Sequence, residues 1–306
     1  MNIGIDIGGT KCAVVLGDEG GIRKKIRFAT TDYAETMENI RKAVREMGKC
    51  DAIGISCGGP LDSKKGIIMS PPNLPGWDHI PITDMLSEEF GVPVYLCNDA
   101  DASALAEWKF GAGKGTENMI FLTFGTGMGA GLILNGKLYS GTNGMAGEVG
   151  HMRMTNFGPV GYGKAGSFEG FCSGGGIAQL GKMLIREKLQ MGESLPYCKN
   201  INELDGITAK ILAEYAYQGD EIALETYRIC GETLGRGLAV LVDILNPERI
   251  VIGSIFARAE TLLRPHMEKT LKREALAFSY ETCRIVPAAL GDSIGDYAAL
   301  AVADNS

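Results

Sequence analysis

The chain has 306 residues, enough for two α/β lobes that each bury a hydrophobic core. Its formal net charge of −7 argues against a protein that binds nucleic acid or an anionic membrane through bulk electrostatics. The eight cysteines include no Cys-x-x-Cys pair, no basic leader precedes the first strand-like segment, and no apolar run approaches the roughly 20 residues of a membrane span. We therefore expect a cytoplasmic protein with reduced cysteines.

The first part of the chain alternates strand-like and helical patterns. Three apolar segments, 3–7, 12–16 and 22–28, are separated by turn signals and predict a β-meander. Apolar residues at helical spacing extend from Met37 to Met47. The alternation continues with strands over 52–57 and 92–97 and helices over 82–90 and 100–110. Crossovers of this kind predict a mixed sheet with parallel members.

The second part begins with a similar strand–turn–strand pattern. Apolar residues from Met119 to Leu134 flank a glycine-rich turn at 125–131, and Asn135-Gly136 is a strong hairpin signal. Residues 140–175 are glycine-rich and irregular, and too long for a simple connector. The remaining predicted elements are a long helix from the N-cap Asp220 to Asn246-Pro247, a strand over 249–253 and a last helix near 294–303.

The two glycine-rich turns are the most informative motifs. In the first turn, Asp6 is followed by the segment Gly8-Gly9-Thr10, which offers a carboxylate for a metal ion, amides for a phosphate and a hydroxyl donor. A strand rather than a helix follows Lys11, so the turn is neither a Rossmann nor a Walker loop. Either turn alone is more typical of an ordinary hairpin. Two such turns in one chain indicate a nucleotide held by both.

Asn98 and Asp99 stand at the carboxyl end of a predicted strand, just before a predicted helix. One of them, or Asp101, could simply be the N-cap of that helix. The carboxyl ends of parallel strands are also where open α/β sheets bind ligands, and an acid there suits a general base that acts on a hydroxyl.

Two further segments offer polar groups for a polyol. The irregular glycine-rich stretch contains Glu148, His151 and, further on, Glu169. A lone histidine is usually structural, so His151 is not singled out by composition. The stretch 71–77 is most simply a rigid proline-rich loop, although Asn73 and Trp77 could line a sugar pocket.

Five motifs, in this order, give the chain a resemblance to the ROK family of sugar kinases and repressors within the sugar kinase, Hsp70 and actin superfamily. They are DIGGTK (6–11), CNDADASALAE (97–107), FGTGMGAG (124–131), GEVGH (147–151) and NPERIVIGS (246–254). The resemblance implies an α/β, two-lobed actin-like (ribonuclease H-like) ATPase fold, with a mixed sheet flanked by helices in each lobe. Residues 1–115 and the C-terminal helix 291–306 would form the small lobe. Residues 116–290 would form the large lobe, with the sugar-binding loop and a homodimer interface.

The resemblance also implies an ATP- and Mg²⁺-dependent kinase in which Asp99 is the general base toward the C6 hydroxyl of a hexose. The implied sugar contacts are Gly59, Asn73, Asn98, Glu148, His151 and Glu169. The implied nucleotide contacts are Asp6, Gly8, Gly9, Thr10, Lys11, Gly125, Thr126, Gly127, Gly129, Gly253 and Ser254, with Asp6 also serving magnesium.

One departure from the family pattern concerns zinc. Many members carry three cysteines after the Gly-His motif, which close a tetrahedral zinc site. The corresponding positions here are Val160, Tyr162 and Ser167. We therefore expect no zinc, and we expect packing around Val160, Tyr162 and Phe168 to hold the loop. A hydroxyl, such as that of Ser167 or Tyr162, would then orient His151.

The identity of the sugar follows from no single motif. Glucose is the first hypothesis, with an N-acyl hexosamine (N-acetylmannosamine or N-acetylglucosamine) or fructose as alternatives. A sugar-sensing repressor would need a DNA-binding domain ahead of the first glycine turn, which begins only a few residues from Met1. A chaperone-like or filament-forming ATPase would have no use for the sugar-side motifs.

Overall fold

The computed structural model describes residues 1–304 as an α/β protein. Its strands are β1 (Asn2–Ile7), β2 (Lys11–Asp18), β3 (Gly21–Ala29), β4 (Ile53–Cys57), β5 (Leu61–Asp62), β6 (Ile67–Ile68), β7 (Val94–Asn98), β8 (Met119–Leu122), β9 (Ala130–Leu134), β10 (Lys137–Leu138), β11 (Val160–Gly161), β12 (Lys164–Ala165), β13 (Arg249–Ile252) and β14 (Arg284–Pro287). Its helices are α1 (Tyr33–Met47), α2 (Ile82–Phe90), α3 (Asp99–Phe110), α4 (Phe168–Phe171), α5 (Gly174–Gln190), α6 (Ala209–Tyr217), α7 (Glu221–Leu245), α8 (Ile255–Arg258), α9 (Glu260–Glu274), α10 (Ala277–Thr282) and α11 (Ile294–Ala303).

Two five-stranded sheets organise the chain. The first has the order β3-β2-β1-β4-β7, in which β1, β2 and β3 are antiparallel and β1, β4 and β7 are parallel. The second has the order β10-β9-β8-β13-β14. The predicted meander, the parallel members and the strand–turn–strand pattern after Met119 are confirmed.

The chain divides into two compact units. Unit 1 comprises 1–121, 131–147 and 288–306, and unit 2 comprises 122–130 and 148–287. The predicted boundary near residue 115 differs from this division, because 116–121 and 131–147 belong to unit 1. Gly131 explains part of the difference: a Cβ there would lie 2.5 Å from the Cβ of Ala104, so its backbone rests directly on α3.

The side chains of β1 alternate between the two faces of the first sheet, and a different helix packs against each face. Ile3, Ile5 and Ile7 join the core under α1, which contributes Met37 and Ile40 among others. Gly4 and Asp6 therefore point to the opposite face, where α11 packs against β1 and β4. A Cβ on Gly4 would lie 2.5 Å from the backbone nitrogen of Leu300, so only glycine lets α11 approach this closely.

Unit 2 is built around α7, a 25-residue helix. The Asp220 side chain accepts the N–H of Ala223, which confirms the predicted N-cap, and Asn246 ends the helix in the left-handed conformation. Gly231 and Gly235 lie where α9 crosses, since a Cβ at either position would come within 2.8 Å of an α9 backbone oxygen. Most of α5 and all of α6 lie within residues 176–219, for which no element was predicted from the sequence.

None of the helices in residues 1–304 is long and apolar enough to cross a membrane.

Candidate active site

The first glycine turn lies between β1 and β2 and is held by its own backbone and by Thr30. The N–H of Gly8 donates to the carbonyl of Lys11 at 3.1 Å, and Thr30 donates its hydroxyl to the carbonyl of Gly8 at 2.6 Å. Neither the N–H of Gly9 nor that of Thr10 has a hydrogen-bond partner within residues 1–304. These two amides are therefore available to an anion. Thr30 was missed from the sequence because it lies some twenty residues beyond the turn that it holds.

A cavity of about 190 Å³ in unit 1 opens beside this turn. Six of the predicted site residues line it, namely Asp6, Gly8, Gly9, Gly59, Asn73 and Asp99. The cavity is also lined by three residues at the end of β4 that were not predicted from the sequence, namely Ser56, Cys57 and Gly58. The signal was present, because β4 is a buried parallel strand and its carboxyl end meets the same edge of the sheet as those of β1 and β7.

Asp6 is the acidic group beside the turn. Burial, with contributions from the nearby carboxylates Asp296 and Asp99, raises the pKa of Asp6 to about 6, while Lys11 acts in the opposite direction. Asp296 is itself ion-paired with Lys25. Burial and the neighbouring acids make the ionised form of Asp6 unfavourable, and a bound divalent cation would stabilise that form. Mg²⁺ prefers oxygen ligands such as a carboxylate. Asp6 therefore fits the expected magnesium contact.

Asn98 and Asp99 have different roles at the start of α3. The Asn98 Oδ1 accepts the N–H of Asp101 at 2.8 Å, and its Nδ2 donates to the Asp101 carboxylate at 3.1 Å, so the N-cap function belongs to Asn98. Asp99, the first helical residue, is exposed to the cavity. The surrounding protein raises the pKa of Asp99 by desolvation, against the lowering effect of the N–H groups of Ala100 and Asp99. A raised pKa makes Asp99 a stronger base than an ordinary aspartate.

The 71–77 loop brings Asn73 against the first turn. A Cβ on Gly9 would lie 2.7 Å from the Cβ of Asn73, so this close approach requires glycine at position 9. Trp77 is completely buried and packs edge-on against Tyr33, with the ring centroids 5.3 Å apart. The proposed sugar-lining role of Trp77 is therefore wrong: its large apolar ring is used in the core of unit 1.

In the second glycine turn, which lies in unit 2, three backbone amides donate hydrogen bonds to other groups of the protein. The N–H groups of Gly125 and Gly129 donate to Gly127 O and Thr123 Oγ1, at 3.1 and 2.8 Å. The N–H of Met128 donates to the Glu169 carboxylate at 3.0 Å. In the described chain this leaves Thr126 and Gly127 as the turn residues whose N–H groups have no partner.

Two helix starts adjoin this turn in unit 2. The N–H of Gly174, the first residue of α5, donates to Gly125 O at 2.8 Å, and a side chain at Gly175 would meet open space. The N–H of Ile255 donates to Phe124 O at 2.8 Å, immediately after Ser254, whose φ is +49°. The predicted Ser254 and Gly253 thus lie beside the turn. The start of α5 was not predicted from the sequence. The signal was present, because Ser173 is a typical N-cap residue and the three glycines after it leave the backbone amides uncovered by side chains.

The three predicted sugar contacts of unit 2 have different environments. Glu148 is exposed, whereas His151 and Glu169 are half-buried. The His151 ring meets the edge of Tyr162 at 5.3 Å with an interplanar angle of 87°. Ser167 is buried as the N-cap of α4, where its hydroxyl accepts the N–H of Gly170 at 3.1 Å. Of the two hydroxyl residues considered for His151, only Tyr162 is therefore in contact with its ring.

The loop after His151 is held by hydrogen bonds more than by the expected packing. Phe168 is buried as predicted, but Val160 and Tyr162 are 44% and 85% exposed, so the packing prediction is wrong for these two. Instead, the Gln179 amide donates to Val160 O at 2.9 Å and accepts from Val160 N at 3.0 Å. Residues 1–304 contain no group of three His, Cys, Asp or Glu side chains that could hold a metal ion.

The chain is similar to known sugar kinases along most of its length. The glucokinase of Streptomyces coelicolor is 32% identical over 302 residues, which are 96% of this chain and 95% of that protein. The N-acetylmannosamine kinase of Escherichia coli is 32% identical over 283 residues, 90% of either chain. The structure of a ROK family glucokinase from Streptomyces griseus, in complex with glucose and AMPPNP, is 31% identical with a TM-score of 0.75 and covers 100% of this chain and 99% of that one.

The structure of ROK hexokinase from Thermus thermophilus is 30% identical with a TM-score of 0.80, covering 98% of this chain and 97% of that one. The mixed sheets flanked by helices are thus the actin-like (ribonuclease H-like) fold that the motifs predicted. The model of the ROK family matches residues 2–305. Because that match runs along almost the entire sequence, the chain belongs to the ROK family.

Proposed function

We propose that this sugar kinase transfers the γ-phosphoryl group of ATP to the C6 hydroxyl of a hexose. The ATP phosphotransferase activity follows from kinase relatives that match nearly the whole chain. Transfer to a sugar hydroxyl is supported mainly by the cavity of unit 1, because Asp99 and the turn residues Gly8 and Gly9 all line it. A base and a phosphate cradle in one cavity are the parts that phosphoryl transfer needs.

In the proposed reaction, Asp99 accepts the proton of the C6 hydroxyl as the sugar oxygen attacks the γ-phosphorus. The new oxygen–phosphorus bond forms while the bond between the γ-phosphorus and the bridging oxygen breaks, so that ADP leaves with that electron pair. Desolvation raises the pKa of Asp99, which strengthens it as a proton acceptor.

The phosphate groups would be held mainly by backbone amides. The N–H groups of Gly9 and Thr10 in the first turn, and those of Thr126 and Gly127 in the second, are the turn amides without partners in the described chain. Magnesium, when bound, supplies charge neutralisation on the phosphates, and Asp6 is the carboxylate of this chain that fits it. Lys11 adds a positive charge close to Asp6.

Glucose is the sugar that we propose first, because a glucokinase is among the relatives that cover 96% of the chain. The similarity to N-acetylmannosamine kinase over 90% of the chain supports an N-acyl hexosamine as the second candidate. Asn73, Asn98, Glu148, His151 and Glu169 supply the polar groups for the sugar hydroxyls in either case. An ADP-release assay across glucose, fructose, N-acetylmannosamine and N-acetylglucosamine separates the candidates by kcat/KM.

The substitution Asp99→Asn tests the assigned base. We expect kcat to fall by roughly 10²–10⁴-fold, because that is the usual contribution of a general base. Sugar affinity, measured by isothermal titration calorimetry, should change little, since the amide keeps the shape of the carboxylate. Near wild-type turnover by Asp99→Asn would contradict the mechanism.

A further inference from the structure

Glu169 occupies an unusual position for a residue expected to bind a sugar hydroxyl. It lies in α4 and its Oε2 accepts the N–H of Met128, a residue of the second glycine turn, at 3.0 Å. The carboxylate therefore holds the backbone of a turn that we expect to bind phosphate. A charged acceptor makes this a stronger bond than a neutral backbone hydrogen bond.

Three glycines let the backbone close around this side chain. A Cβ on Gly127 would lie 2.8 Å from the Glu169 Oε2, and one on Gly161 would lie 2.8 Å from the Glu169 Cβ. A Cβ on Gly150 would lie 2.2 Å from Met128 O and 3.2 Å from the Glu169 Cβ. The second turn, the segment before His151 and the β11–β12 hairpin thus all meet at Glu169, so its orientation affects each of them.

The other carboxylate oxygen of Glu169, Oε1, is not used in this way. Oε1 of Glu169 makes no hydrogen bond to any of residues 1–304. A carboxylate has about four lone-pair sites, so Oε1 can accept a hydroxyl while Oε2 keeps the Met128 amide. Each bond would reduce the freedom of the same side chain and so favour the other.

We propose that Glu169 couples the two substrates, with one oxygen fixing the second glycine turn and the other accepting a sugar hydroxyl. This rests on the proposed function, because it takes Glu169 as a sugar contact. Sugar binding immobilises the carboxylate, which orders Met128 and the neighbouring amides of Thr126 and Gly127 before the nucleotide arrives. By linkage, the nucleotide raises the affinity for sugar by the same factor.

The test measures the dissociation constant of magnesium AMPPNP by calorimetry, without sugar and with saturating glucose, or with the best substrate of the sugar panel. The proteins compared are the wild type, Glu169→Ala and Glu148→Ala. Glu148 is the matched control, because it is also an expected sugar contact but has no hydrogen bond to the second turn. Glu169→Gln keeps the size of the side chain and replaces Glu169→Ala if that variant does not fold.

In wild type and Glu148→Ala we expect sugar to tighten nucleotide binding by the same factor, roughly 5-fold or more. In Glu169→Ala the factor should fall to about 1, and to an intermediate value in Glu169→Gln. Hydrogen exchange provides a readout independent of activity: sugar should slow exchange in the 123–130 segment of wild type and Glu148→Ala, but not of Glu169→Ala.

The coupling proposal is overturned if Glu169→Ala keeps the wild-type factor at saturating sugar, or if wild type itself shows a factor of 1. If Glu169 had only a structural role, Glu169→Ala would weaken the binding of both sugar and nucleotide, but sugar would still tighten nucleotide binding by the wild-type factor. Failure of the proposed function would look different, because wild type would then phosphorylate no sugar in the panel.

Discussion

At the scale of single residues, the two acidic groups of the unit 1 cavity differ in how the protein perturbs them. The pKa of Asp99 is raised mainly by desolvation. The pKa of Asp6 is raised to about 6 by burial and by the neighbouring acids Asp296 and Asp99, with Lys11 and Lys25 acting in the opposite direction. A carboxylate with a raised pKa is harder to ionise in the folded state than in the unfolded state, so at neutral pH it lowers the stability of the free protein.

Asp6→Asn should therefore stabilise the metal-free protein at alkaline pH. The penalty is absent below the unfolded pKa near 4, grows as the pH rises, and is complete above about 6. We expect the variant to raise the free energy of unfolding by about 1–3 kcal/mol at pH 8 and hardly at all at pH 4. Urea denaturation in EDTA at the two pH values measures this difference.

Asp205→Asn is the control for this experiment, since the Asp205 side chain is fully exposed and should show no such pH dependence. A loss of stability at pH 8 in Asp6→Asn would mean that Asp6 makes a favourable interaction in the free protein that outweighs its desolvation.

At the scale of elements, the contact between the first sheet and α11 depends on glycines in the strands. A Cβ on Gly54 of β4 would lie 2.2 Å from the backbone nitrogen of Ala303 and 2.4 Å from Ala299 O. Backbone atoms of a packed helix cannot rotate away as a side chain can. The position of α11, whose Gly295 lies beside the carboxylate of Asp6, is thus set partly by the absence of side chains in β1 and β4.

Gly54→Ala should displace α11 or strain the sheet. Overpacking of this kind typically costs about 1–3 kcal/mol, and we expect the upper end because the clash is with backbone. Gly206→Ala is the matched control, because a Cβ at Gly206 meets nothing within 4 Å and its φ is not positive. Chemical denaturation of both variants provides the comparison, and equal stabilities would show that α11 can move at little cost.

The N-cap at the start of α3 shows why the sequence could single out the segment from Asn98 to Asp101 as a candidate site but could not divide the roles among its residues. Asn98, Asp99 and Asp101 are all good N-cap residues, and their order does not decide which side chain turns back to the helix. The structure assigns the cap to Asn98 through its bond to the Asp101 N–H. Asp99 is thereby left facing the cavity.

At the scale of the whole molecule, the family pattern and this chain differ most in the loop after His151. By the family resemblance, the positions of Val160, Tyr162 and Ser167 correspond to zinc-binding cysteines of many members, and in this chain Gln179 holds the hairpin through Val160. We predict that the purified protein contains no stoichiometric zinc by elemental analysis. A zinc-selective chelator should leave activity intact when magnesium is in excess, and zinc at one equivalent per chain would contradict the prediction.

The sequence by itself determined the elements and motifs that depend on local patterns. Such patterns depend only on residues close together in the sequence, as the glycine turns, the helical spacing and the Asp220 cap show. The meander, α7 and the motifs of the two turns could therefore be predicted from the sequence alone. Contacts between distant residues could not be predicted in this way. Only the tertiary structure decided that Trp77 belongs to the core, that Thr30 supports the first turn, and that Glu169 holds Met128. Each of these depends on which segments pack together, and packing is determined by the whole chain.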